Sequence, residues 1–288
     1  MIRLALAALL LAQGDPVKLR YGTERSDKDR VHAEMMLGIR IEGPDQLVGY
    51  VRSLHPFLSM EKLTLRADGT RQVFGGKKQK IDHEQARVEM RYDDEDHEYE
   101  YKKGQPPESD KNKLRQMMWY LAAGGRSFTL SPEGEYAKLD DPNQDHNGEA
   151  MDLISLGVVR MPDKPVKEGD TYEVKFKGQK SEKGKKGVFA FVQKVKVEKM
   201  EAKDGRTLAT LSADLSGKVE GSDRDPQAEE AWNTCEGKLK AVLDVSSGRV
   251  ISSEGSGKVV VYHRSTNDQG AKQELTMTFT VEGKVTPR

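Results

Sequence analysis

The sequence has one cysteine and two tryptophans in 288 residues, and no excess of either charge: 47 Lys and Arg stand against 47 Asp and Glu. Each scarcity excludes something. The lone thiol, Cys235, closes no disulfide within the chain, so an exported form must draw its stability from its core. Charge balance removes the basic excess with which proteins displace counterions from nucleic acid, and no nucleic-acid partner is expected. Long apolar runs are missing too. The run from Leu4 to Ala12 falls short of the roughly 20 residues that a bilayer-spanning helix needs, so the protein is not expected to span a membrane. Hydrophobic residues make up only 35% of the chain, yet they recur in regular alternation. That pattern implies sheets with a heavily solvated face rather than a disordered chain.

The N-terminus carries the sharpest local signal. Arg3 precedes the apolar run, and Ala12-Gln13-Gly14 supplies the small residues that a signal peptidase requires before its cut. Residues 1–14 are therefore read as a signal peptide, with a mature N-terminus near Asp15 and export to the periplasm or beyond the cell. Removing them takes away one Arg and no acid, leaving the charge argument intact. Cys235 lies in WNTCEGKLKAV with no basic neighbour to lower its pKa, and reads as a structural thiol at the start of a strand.

Strand periodicity dominates the second half. Phe189, Phe191, Val195 and Val197 share one face, with Lys194, Lys196 and Glu198 opposite; Asp204-Gly205 then suits a tight hairpin into Leu211, Ala213, Leu215 and Val219. Leu239, Ala241, Leu243 and Val245 precede a turn at Ser246-Ser247-Gly248 and a return through Val259 and Val261. A last strand sets Leu275, Met277, Phe279 and Val281 against Thr276, Thr278 and Thr280. The first half is less regular. Strands are expected at Val17, Leu19 and Tyr21, from Val31 to Ile41, at Leu63 and Leu65 before a turn at Ala67-Asp68-Gly69-Thr70, and at Val88, Met90 and Tyr92. A hairpin is expected to turn at Pro132-Glu133-Gly134, and Asp93 to Asp96 to form an exposed turn.

One main helix is predicted over about 110–123, because Leu114, Met117, Met118 and Leu121 fall at i, i+3, i+4 and i+7, with Ser109 or Asp110 as cap and Gly124 as stop. The expected fold is mainly β, with antiparallel meander sheets in a curved half-barrel or sandwich-like arrangement and this helix packed on the sheet. A Pro-bounded stretch near Pro165 divides a β-rich half, residues 15–163, from a C-terminal meander, residues 164–288.

The stretch MPDKPVKEGDTY, Met161 to Tyr172, with Gly169, Asp170 and Thr171 followed by a meander, resembles a family of secreted bacterial all-β proteins of unknown function. In that family the pattern ends in an aromatic, usually Trp; Tyr172 holds the place here. The resemblance runs loosely from about Arg87 to Val261. It implies an antiparallel β fold and an exported location, and brings no catalytic residue.

Recognisable chemistry is sparse. The sequence has no HExxH pair, no nucleophile elbow, no P-loop and no dinucleotide fingerprint. Asp82-His83-Glu84 and Asp96-His97-Glu98 look like metal triplets, but adjacent strand residues point to opposite faces, so each reads as a solvated edge. The loop DPNQDHNGEAMD places Asp141, Asn143, Asp145, Asn147, Glu149 and Asp152 at calcium-loop spacing. His146 stands where such a loop turns on Gly, and Asp152 where it ends on a bidentate Glu, so an ordinary polar surface loop is expected, with Ca²⁺ as the weaker alternative and no other cofactor. Three readings of function follow: a non-enzymatic exported envelope protein acting as a binding or scaffold module, a carrier of a lipid or other apolar small molecule in a curved sheet closed by the helix, or a secreted hydrolase without a recognisable motif. The first is preferred, because the wet-faced meander carries no recognisable catalytic set; the partner classes are another envelope protein or an apolar small molecule.

Overall fold

The computed structural model describes residues 15–22, 24, 26, 28–75, 78–106, 112–123, 125–138, 146–177, 188–220, 230–266 and 270–288. The protein is mainly β, as its periodicity implies. Its strands are β1 (Asp29–Glu42), β2 (Met60–Gly75), β3 (Lys78–Tyr92), β4 (Glu95–Lys102), β5 (Arg126–Leu130), β6 (Tyr136–Lys138), β7 (Thr171–Lys177), β8 (Val188–Lys203), β9 (Arg206–Glu220), β10 (Glu230–Asp244), β11 (Arg249–Thr266) and β12 (Lys272–Pro287). All belong to one open, antiparallel sheet in the order β6-β5-β3-β2-β1-β12-β11-β10-β9-β8-β7, with β4 also paired to β3. The sheet does not close into a barrel. β1 pairs with β12, aligning Leu37 with Val281 and Ile39 with Phe279, so the first and second halves share one hydrogen-bonded layer.

Turn chemistry sets the hairpins. Asp204 and Gly205 both take positive φ, 51° and 74°, and reverse β8 into β9; Asp93 and Asp94 do the same between β3 and β4 at 49° and 65°. In the motif preceding β7, an Asp170 carboxylate oxygen accepts from the Lys167 N–H, while the Gly169 N–H bonds the Val197 carbonyl and the Val197 N–H bonds Asp170. The stretch thus docks β7 onto β8, and the Tyr172 hydroxyl donates to the Arg160 carbonyl at 2.9 Å.

One face of the sheet is apolar and covered. Three α-helices stand among the described residues: α1 (Asp45–Leu54), α2 (Lys113–Ala123) and α3 (His146–Ser155), with a 3-10 turn at Pro56–Ser59. α2 packs on β3 and β4 and buries Met118 and Ala122. It begins at Lys113, later than its periodicity suggests, because Asn112 caps it, accepting from the Leu114 and Arg115 N–H groups. Ser109, Asp110 and Gly124 lie outside the described residues. α3 lies across β10, β11 and β12 and buries Ala150, Leu153 and Ile154. Beyond it, residues 158–160 are pinned by two buried side chains. Tyr21 donates to the Val159 carbonyl and accepts from its N–H, while the Gln193 amide donates to the Val158 carbonyl and accepts from the Arg160 N–H.

Three expectations need correction. No turn occurs at residues 67–70: β2 runs straight through, and Asp68-Gly69 is instead an irregularity in its pairing with β3. Val17, Leu19 and Tyr21 alternate as expected but form no strand, since only Val17 bridges, to Val166. Leu19 and Tyr21 are buried in a strap crossing the apolar layer. His83 is no solvated-edge residue, because it is buried beneath α2 with its ring nitrogen 2.8 Å from the Ala122 carbonyl.

Candidate functional site

The opposite face of the sheet is polar, and its residues line up across strands. One row, read from β2 to β9, runs Arg66, Glu34, Lys284, Glu254, Lys240 and Ser212. Its charges alternate strictly in sign. The next row runs Thr64, Met36, Glu282, Ser256, Lys238 and Asp214. Opposite charges directly across a ladder attract, and Arg66 with Glu34 and Lys240 with Glu254 each approach to 3.8 Å. Such exposed pairs contribute little to stability, so the alternation shapes the surface more than it holds the fold.

Short side chains among long ones leave a depression. Around Thr64, Ser256 and Ser212 the flanking Lys, Glu and Arg stems rise to form a trough of about 620 Å³. Met36 stands in it, 38% exposed, the one large apolar side chain that β1 turns to solvent. Charges of both signs rim the trough and aliphatic stems line it, so it can hold an extended chain or an elongated amphiphile by contact and ion pairing.

At its margin His32 forms a charged cluster. Its Nδ1 lies 2.8 Å from Asp68 and its Nε2 3.3 Å from Glu34, and Arg288 reaches the second Asp68 oxygen at 2.6 Å. The hydrogen bond to Asp68 raises the His32 pKa above its ordinary value, against the opposing effect of burial. For Asp68, burial pushes the carboxyl up, but hydrogen bonds from His32 and Gln85 and the charge of Arg288 outweigh it and leave the pKa lowered.

The residues singled out from the sequence fall elsewhere. Asp141, Asn143 and Asp145 lie outside the described residues; Asn147, Glu149 and Asp152 belong to α3, where Glu149 is buried and Asp152 accepts a 2.8 Å hydrogen bond from the Tyr136 hydroxyl. Among the described residues no group of three or more His, Cys, Asp or Glu is arranged to hold a metal ion. Cys235 is buried inside β10, and desolvation, with the charge of Glu236, pushes its thiol pKa up to about 12. It is a packing residue. Two small cavities on the apolar face, one beside His83 and Ser155 and one beside Phe128 and Leu156, measure about 20 and 30 Å³.

The trough was invisible to strand-by-strand reading. Alternation places Glu34, Met36, Glu254, Glu282 and Lys284 on a wet face, but only register sets them side by side.

No family model and no curated protein matches the sequence. Among solved structures the chain has a similarity to the vaccine antigen transferrin binding protein B, in a double-mutant form, from Haemophilus parasuis. The identity is 8%, the coverage 92% of this chain and 78% of that one, and the TM-score 0.11. Similarity at that level carries no argument about fold or function. Among the described residues no helix is long and apolar enough to cross a membrane.

Proposed function

We propose that the protein is an exported, non-enzymatic binding or scaffold module of the bacterial envelope, and that the trough on the open face holds its partner, an extended segment of another envelope protein. The observation that carries this reading is the pair of cross-strand rows. Among the described residues α2 and α3 pack on one face, and on the other an apolar residue, Met36, stands beside the row of alternating charges. A partner segment laid across the strands would meet acid and base in turn, a pattern that rewards one register over its neighbours. Export rests on the sequence from Arg3 to Gly14, and the resemblance around Met161 to Tyr172 supports the same compartment. A second reading, carriage of an apolar small molecule, rests on Met36 and the lysine stems beside it. It belongs in the trough, which Met36 and those stems line together.

Purification of the full chain from the periplasm of a producing bacterium, followed by native mass spectrometry, tests the proposal. The expected mass lacks residues 1–14 and carries a second polypeptide, which Met36→Lys releases without lowering the melting temperature. A small-molecule adduct in its place favours the carrier. A protein that retains Met1, or equal capture by wild type and Met36→Lys, overturns the reading.

A further inference from the structure

In β2 the apolar rhythm Leu63, Leu65, Ala67, Gly69 continues into Arg71. Its cross-strand neighbours are Ile81 on β3 and Asp29 on β1. Arg71 therefore points its guanidinium into the covered face of the sheet, where it is only 8% exposed. Arginine is almost never buried this far without a paired anion, because its charge loses water's solvation. Yet among the described residues the only side-chain hydrogen bond of Arg71 runs to the Val250 carbonyl. One of its five donor hydrogens is thereby used. Asp29, the cross-strand carboxylate whose charge acts on Arg71, is held by Arg249 in a close ion pair, and Asp244 is occupied by the Ser246 and Ser247 N–H groups at the β10–β11 turn.

The unused donors open into a second cavity, of about 520 Å³, at the end of the sheet where β1, β2, β3 and the β10–β11 turn meet the strap of Tyr21. Arg20 and Arg206 stand on its rim without an ion pair among the described residues. Gln79, 7% exposed, lines it with a side-chain amide that likewise has no hydrogen-bond partner among the described residues. Among the described residues of the lining, four guanidinium groups stand against Glu24, Asp29 and Asp244, one positive charge in excess. Burial brings the Arg71 pKa down to about 10, so the group is still a cation at neutral pH.

We propose that this cavity is a binding site for a small organic monocarboxylate, whose two oxygens are gripped by the Arg71 guanidinium and whose body rests against Gln79 and Val250. A planar fork with parallel donors matches a carboxylate, the single excess charge matches a monoanion, and the volume suits a small organic molecule rather than an inorganic ion. The site is independent of the trough and lies on the other face of the sheet.

Acetate, benzoate and N-acetylglycine, each titrated at constant ionic strength against the full-length mature chain, test it, with inorganic phosphate as the comparison anion and melting temperature as the readout. At least one monocarboxylate is expected to raise the melting temperature saturably, and to shift the Arg71 Nε–H resonance over the same concentration range. Arg71→Lys keeps the charge but not the fork and should lose at least tenfold in affinity. Gln79→Leu leaves the cation in place and gives a folded comparison if the lysine variant unfolds; it should weaken binding severalfold. Saturable binding lost in these variants supports the site. A flat response to all three carboxylates, equal stabilisation by phosphate, or unchanged binding in both variants overturns it.

Discussion

Gly255 and Gly283 lack side chains because α3 and the residue that ends it lie where a Cβ would stand. A Cβ on Gly255 would meet the Ile154 carbonyl oxygen at 2.0 Å, and one on Gly283 the Ser155 oxygen at 1.9 Å. These are backbone atoms of a packed helix, which cannot move aside as a side-chain tip can. Gly255→Ala should therefore destabilise by about 3 kcal/mol, the upper range for overpacking, in urea unfolding. Gly49 in α1 has nothing within 4 Å, so Gly49→Ala should instead stabilise by about 0.5–1 kcal/mol through helix propensity. The His32 cluster makes a prediction in pH. Its raised pKa gives stability that is complete below the unfolded value of about 6.5 and is lost as pH rises through the folded value; the lowered pKa of Asp68 gives stability present above about 3.9 and lost as pH falls through its folded value. The stability difference between wild type and His32→Gln should thus be greatest between about pH 4 and 6.5 and shrink as pH rises through the folded-state value of His32. A difference that grows with pH would contradict the geometry of Asp68, Glu34 and Arg288 around the ring.

At the scale of the element, alternation decides what each strand contributes. In β12, Phe279 is buried against Ile39 and Val259, whereas Thr278 faces the other way, beside Arg40 and Val260. Phe279→Ala should cost about 3–5 kcal/mol and Thr278→Ala less than about 1. Equal costs in urea unfolding would mean that the strand register is wrong. The helices follow a different logic. α2 and α3 bury residues against the sheet, but α1 buries none, and its Tyr50 and Leu54 remain exposed. Its sequence, DQLVGYVRSL, is amphipathic enough to form a helix without deep packing, and lies between two strands that periodicity does mark.

For the whole molecule, the pairing of β1 with β12 and the seat of α3 on β10, β11 and β12 tie residues from both sides of Pro165 into one core. Full-length protein should consequently melt in one cooperative transition in calorimetry. A fragment of residues 164–288 would present β12 as a bare edge and leave Gly255 and Gly283 uncovered, so it should aggregate or melt without a sharp transition. A well-folded fragment with its own transition would show that the meander is self-sufficient.

Which residues form strands, and which face of each strand is wet, could be read from the sequence because side chains alternate with period two and the turns at Asp93-Asp94 and Asp204-Gly205 carry their own conformational signal. Local chemistry also marked the Pro132 to Gly134 hairpin and the helix around Met118. What lies beyond local chemistry is register and partnership. Arg71 was legible as a cation in an apolar rhythm only if β2 continues through Asp68-Gly69, and a dipeptide that usually turns a chain here makes an irregularity inside a strand instead, because the neighbouring strands extend past it. The trough depends on six strands from distant parts of the chain being aligned, Arg66 beside Glu34 beside Lys284 beside Glu254. Alternation within one strand places no residue against another strand, so tertiary pairing alone sets that row.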